Sequence, residues 1–198
     1  MEFKRKANHP DKIVKEVVAF ANTHGGLLLI GVDDNGDMPG IKFAEEERFV
    51  MEQAITKYCS PAIDYSIEEV EVDETHTILV YTIAESQQKP HMVLEDFEQH
   101  RGKAYYRVAD RSIQASKELR QIIKRASRAH SVRFHYGDKE KLLMRYLEEH
   151  DSITLQKFAE IAHIPRWKAS KCLILLTLAG VINIEPDGVT DRYVSQAE

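Results

Sequence analysis

Two groups of side chains in this chain of 198 residues have the types and spacing to do chemistry. The first is Asp33-Asp34-Asn35, which arrive together where the apolar run Leu27 to Val32 ends, just before Gly36. Acids fixed at a strand end hold a metal, meet a substrate or simply close a turn. The second is Arg166, Trp167, Lys168, Ser170 and Lys171, at the start of an expected helix. Arginine and lysine contact phosphates or guanine edges, and a tryptophan stacks on a base or packs on a sugar. The 9 histidines are scattered, with no i, i+4 pair enclosing a carboxylate, so there is no zinc signature. There is no G-x-S-x-G nucleophile setting either. Gly25-Gly26 lacks the following lysine and hydroxyl that would hold a nucleotide, and ATP is discounted.

Charge is distributed unevenly. The net is −5, which does not advertise a nucleic-acid binder. Residues 45–98, however, hold 3 Lys/Arg against 14 Asp/Glu, whereas residues 99–133 hold 10 against 2. Such separation orients a polyanion, or it reflects two solvated faces of opposite sign. Cys59 and Cys172 sit in apolar helical patterns, which points to buried thiols and a reducing cytoplasm. No stretch approaches the roughly 18 apolar residues of a membrane span, and no membrane association or secretory leader is expected.

These groups need elements to position them. Ile13, Val14, Val17, Val18 and Ala21 make one apolar helix face, and Gly25-Gly26 takes the positive φ that stops a helix. Leu27 to Val32 reads as a strand covered on both faces. A second helix is expected over about 44–58, with Phe49, Val50, Ala54, Ile55 and Tyr58 as its stripe. Residues 63–72 alternate, 77–83 form a buried strand, and 73–76 turn between them. Strands over 90–94 and 103–108 precede a basic helix from Lys117 with Leu119, Ile122 and Ile123 inward. Arg128, His130, Arg133 and His135 mark a basic linker.

Beyond the linker the pattern changes to three helices and a hairpin. Thr154 is placed to cap the second helix, and the third runs over about 166–179. Strands at 181–184 and 192–195 bracket Pro186-Asp187-Gly188. This order resembles a winged helix-turn-helix, in which the third helix enters the major groove with its N-terminal residues first. A winged helix used only for dimerisation is the alternative.

Glu2-Phe3-Lys4, then Phe20-Ala21-Asn22-Thr23, Gly25-Gly26 and Leu28-Leu29-Ile30-Gly31-Val32-Asp33-Asp34, resemble the Schlafen-type AlbA-like domain. Lys89-Pro90-His91 and Tyr105-Tyr106-Arg107-Val108 continue the likeness. The family occurs in vertebrate Schlafen proteins and in bacterial proteins classed as transcriptional regulators. The resemblance implies nucleic-acid binding and, in some members, metal-dependent RNA cleavage by three carboxylates. Two of them match here, Glu2 and Asp34, as candidate catalytic and metal-binding residues with Mg or Mn as the ion. The family's third acid lies five residues before Glu2, upstream of Met1, so either the chain is a truncated form or the set is incomplete. The plain alternative for Glu2 and Asp34 is a salt bridge to Lys4 or a turn cap. Lys4, Arg107 and Arg111 match basic family positions that meet phosphates.

The expected architecture is therefore α+β: a mixed-sheet AlbA-like domain with flanking helices over 1–128, a basic linker over 129–137, and a winged helix-turn-helix over 138–198. The expected function is a DNA-binding transcriptional regulator in the cytoplasm, with Lys4, Arg107, Arg111, Arg166, Trp167, Lys168 and Lys171 on the nucleic acid. Two alternatives stay open. One is a divalent-metal ribonuclease acting on structured RNA, and the other is a homodimerising interaction module that touches no nucleic acid.

Overall fold

The computed structural model describes residues 1–127 and 136–196. Most of the expected basic linker over 129–137, with Arg128, His130, Arg133 and His135, lies outside the described residues. The chain forms two compact units, Met1–Gln114 and Ala115–Glu198.

The first unit is built on a mixed four-stranded sheet. β1 (Glu2–Lys4) runs parallel to β2 (Gly26–Ile30), with Glu2 registered against Leu28 and Lys4 against Ile30. β5 (Thr77–Ile83) pairs antiparallel with β2 and with β4 (Tyr65–Glu71), giving the order β1-β2-β5-β4. Leu28, Ile30, Leu79, Tyr81 and Ile83 form one core with the stripe of α1 (Pro10–Asn22) and with Met51, Ala54 and Ile55 of α2 (Ala44–Tyr58). Burial of such side chains contributes about 1.5–3 kcal/mol each.

Two expectations change here. Leu27 and Leu29 are only half-buried, so the β2 run is covered fully on one face, where alternate residues meet the helices. In α2, Phe49 is 62% exposed, whereas Met51 is fully buried. Met51, Ala54, Ile55 and Tyr58 follow i, i+3, i+4 and i+7. Phe49 stands about 140° around the helix from Ala54 and cannot share that stripe.

Three further strands, β3 (Cys59–Ser60), β6 (Met92–Asp96) and β7 (Arg101–Lys103), make a small antiparallel sheet. β8 (Tyr105–Val108) and β9 (Arg111–Gln114) form a hairpin packed on α1.

The second unit begins with α3 (Lys117–Ala126), followed by α4 (Asp138–Glu149), β10 (Ile153–Thr154), α5 (Leu155–Ile161), α6 (Arg166–Leu178), β11 (Ile182–Glu185) and β12 (Arg192–Ser195). β12 lies between β10 and β11, antiparallel to both. Leu143, Leu147, Ile153, Phe158, Leu173, Leu176 and Tyr193 form its core. The Thr154 hydroxyl accepts from the Lys157 amide at 3.2 Å and caps α5. The helix α3, which a boundary at residue 128 assigns to the N-terminal domain, packs on α6. Cys59 and Cys172 are buried and unbridged, and burial pushes each thiol up to about 12. Among the described residues, no helix is long and apolar enough to cross a membrane.

Candidate nucleic-acid interface

The exposed face of α6 follows from its sequence spacing. Ala169, Cys172, Leu173 and Leu176 turn into the core. Arg166, Trp167, Lys168 and Lys171 are exposed, and Trp167 is 64% accessible. Leaving a tryptophan in water forfeits a large apolar burial. The Lys168 ammonium lies 5.4 Å from the centre of the Trp167 ring. The first turn of α6 carries no acid, and its helix dipole favours an anion there. Among the described residues, none of Arg166, Lys168 and Lys171 has a carboxylate partner within 4 Å. Ser170, one of the expected contact residues, faces elsewhere: it is buried and its hydroxyl donates to Glu118 Oε1 of α3 at 2.6 Å.

The N-terminal unit treats its candidate residues differently. Arg107, expected on phosphate, is an internal ion-pair centre with a side chain only 9% exposed. Its Nη1 donates to Glu2 Oε2 at 2.8 Å, Glu16 Oε2 at 3.1 Å and Ser112 Oγ at 3.1 Å, and its Nη2 donates to the Met1 carbonyl at 3.0 Å. The guanidinium also stacks 5.0 Å from the Phe20 ring centre. A buried cation held by two carboxylates is not available to a ligand, because leaving either acid unpaired costs several kcal/mol. Lys4 is likewise engaged, at 2.5 Å from Glu2 Oε1. Arg111 is exposed and has no ion-pair partner among the described residues.

Glu2 and Asp34 do not assemble a cation site. Both Glu2 oxygens are occupied, one by Lys4 and the other by Arg107. Burial raises the Glu2 carboxyl, but hydrogen bonds and charge from those two cations outweigh it, and the pKa lies below 4.5. Asp34 is exposed in the turn closed by Asp33 N–H to the Asp37 carbonyl at 2.8 Å, four residues past the end of β2. Asp33 itself pairs with Arg5. No group of three or more His, Cys, Asp or Glu among the described residues is placed to hold a metal. Among the described residues, Glu2 is committed to two cations of the chain itself and is not free to ligate a divalent ion.

The Phe20-Ala21-Asn22-Thr23-x-Gly25-Gly26 run proves to be a structural clamp. The buried Asn22 amide donates to the His91 carbonyl at 2.9 Å and the Tyr105 carbonyl at 2.8 Å, and its Oδ1 accepts from the His91 amide at 2.7 Å. It thereby ties the end of α1 to the segments entering β6 and β8. The Thr23 hydroxyl donates to the Ala19 carbonyl and accepts from the Arg107 amide at 3.2 Å. Gly26 has the Phe20 ring against it, where a Cβ would lie 2.3 Å from Cδ1. Gly25, at φ +75°, returns its amide to the Phe20 carbonyl at 3.0 Å.

Sequence reasoning missed Glu16, the second acid on Arg107. Its signal was present, since Glu16 is three residues past Ile13 and falls within the buried stripe of α1. It also missed the pairing of Glu118 with Ser170, which carries no local signal.

No curated protein matches the chain. A solved structure, the DIP2311 protein from Corynebacterium diphtheriae, is 22% identical with a TM-score of 0.45. The match covers 64% of this chain and 27% of that one, so this chain spans about a quarter of its relative. The Schlafen, AlbA_2 family matches residues 1–116, which takes in the Glu2-Phe3-Lys4 strand, the Asn22 clamp and the Arg107 hairpin. The chain belongs to the Schlafen AlbA_2 family.

Proposed function

We propose that this protein is a cytoplasmic DNA-binding transcriptional regulator whose C-terminal unit works as a winged helix-turn-helix. The carrying observation is the row Arg166, Trp167, Lys168 and Lys171, exposed and free of carboxylates on a helix whose other faces are packed. The order α4, β10, α5, α6, β11, β12 supports the winged-helix reading. Residues 138–198, which carry that order, hold 8 Lys/Arg against 10 Asp/Glu, a net of −2, so the reading rests on where the cations of α6 stand and not on total charge. Family membership points the same way, to a nucleic-acid-related role.

In this reading α6 enters the major groove. Arg166 and Lys168 reach phosphates or guanine edges, Lys171 meets the backbone, and Trp167 packs on sugar or base. The test is fluorescence anisotropy on mixed-sequence duplex DNA with the wild type and an Arg166→Glu, Lys168→Glu double variant. Salt-sensitive binding that the double variant loses is the expected result. Equal affinity of the two proteins refutes the reading.

A further inference from the structure

We infer that α3 is a second phosphate-binding element, a cationic ridge that grips the DNA backbone beside α6. The inference rests on the reading of α6 given above. Leu119, Ile122 and Ile123 are buried as α3 packs on α6. The opposite face carries Lys117, Lys124 and Arg125, all exposed, with Arg120 half-buried between them. Among the described residues none of these four has a carboxylate within ion-pair distance, and Arg120 Nε has no acceptor at all. By contrast, the acids near α3 are already engaged. Glu118 receives the Ser170 hydroxyl, and Asp191 receives that of Ser116.

The ridge is held in place at its start. Ser116 caps α3, its hydroxyl oxygen accepting from the Leu119 amide at 3.0 Å. The bond from Ser170 to Glu118 sets the first turn of α3 beside the first turns of α6, one residue from Lys171 and three from Trp167. Lys117 to Lys124 is seven residues, about 10 Å of helix at 1.5 Å each, a length over which a duplex presents several phosphates. The hairpin is poorly suited to that grip, because Glu185, Asp187 and Asp191 stand with a single cation, Arg192. Duplex DNA is the fitting partner: it offers regularly spaced negative charge and asks nothing of base sequence from these residues.

The test compares the salt dependence of duplex binding in the full chain for the wild type, a Lys117→Ala, Lys124→Ala, Arg125→Ala triple variant, and the α6 double variant. All three truncated side chains are exposed, and unchanged thermal unfolding of the triple variant serves as the folding check. Each lost phosphate contact removes about 0.9 from the slope of log affinity against log salt. The affinity ratio between 50 and 200 mM salt is therefore expected to shrink about 40-fold in the triple variant, alike on unrelated sequences. Unchanged slope and affinity in the triple variant, while the α6 variant loses binding, overturns this inference and leaves the α6 reading standing. A wild type that binds no duplex overturns both. A triple variant that loses only polyglutamate binding makes the ridge an acidic-protein contact and overturns the inference too.

Discussion

Replacing Asn22 with alanine is expected to be among the most damaging substitutions in the N-terminal unit. The side chain is 2% exposed and makes three hydrogen bonds, to the His91 carbonyl, the Tyr105 carbonyl and the His91 amide. Truncation leaves one buried donor and two buried acceptors unpaired, each worth about 1–3 kcal/mol. Because one relaxation serves all three groups, the losses add incompletely, and the total is expected to be about 3–5 kcal/mol. That is a large share of the roughly 5–15 kcal/mol typical of a domain. Asn22→Asp is expected to be no better, since it turns a carboxylate toward two carbonyl oxygens in a buried site. Urea unfolding followed by far-UV circular dichroism reads both, with the midpoint falling and the denaturant slope unchanged. A loss below about 1 kcal/mol for Asn22→Ala, or wild-type stability for Asn22→Asp, would refute the clamp.

Other expected outcomes follow from the same unit. Gly26→Ala pushes a methyl into the Phe20 ring and is expected to cost about 1–3 kcal/mol, part of which Phe20→Leu restores in a double-mutant cycle by urea unfolding. His91 is buried, its Nδ1 donating to the Pro61 carbonyl at 2.9 Å, and burial outweighs that bond to leave its pKa below 6.5. The neutral ring is thus favoured by folding. Stability it contributes is present above pH 6.5 and declines as pH falls through that value, a slope that His91→Gln flattens in unfolding curves taken across pH. Glu2 has the corresponding carboxylate behaviour. Its stabilisation is full above pH 4.5 and fades as pH falls below it, so the stability gap between wild type and Glu2→Gln closes in acid.

Much of this molecule was legible in its residues. The α1 stripe, the glycine stop and the C-terminal order of helices and strands all rest on short-range periodicity and capping, which one sequence states directly. The rotation of α2 was not legible, because Phe49 and Val50 are as apolar as the buried Met51, and only packing against α1 and the strands decides which faces inward. The partnership of α3 was hidden for a related reason: Leu119, Ile122 and Ile123 make the same stripe whichever body they pack on. Ion pairing was the least readable feature. Arg107 and Arg111 look alike in the chain, yet the first is locked between Glu2 and Glu16, 105 and 91 residues away in sequence, while the second is exposed. Long-range charge pairing separates a cation that holds the fold from one left in solvent.

In the proposed complex the C-terminal unit meets DNA at the first turns of α6. Backbone amide chemical shifts, recorded while a short duplex is titrated into the full chain, test it most directly. The perturbed amides are expected to cluster at residues 166–171 and 117–125. Perturbations confined to residues 1–114, or none at a duplex concentration that saturates anisotropy, would contradict it.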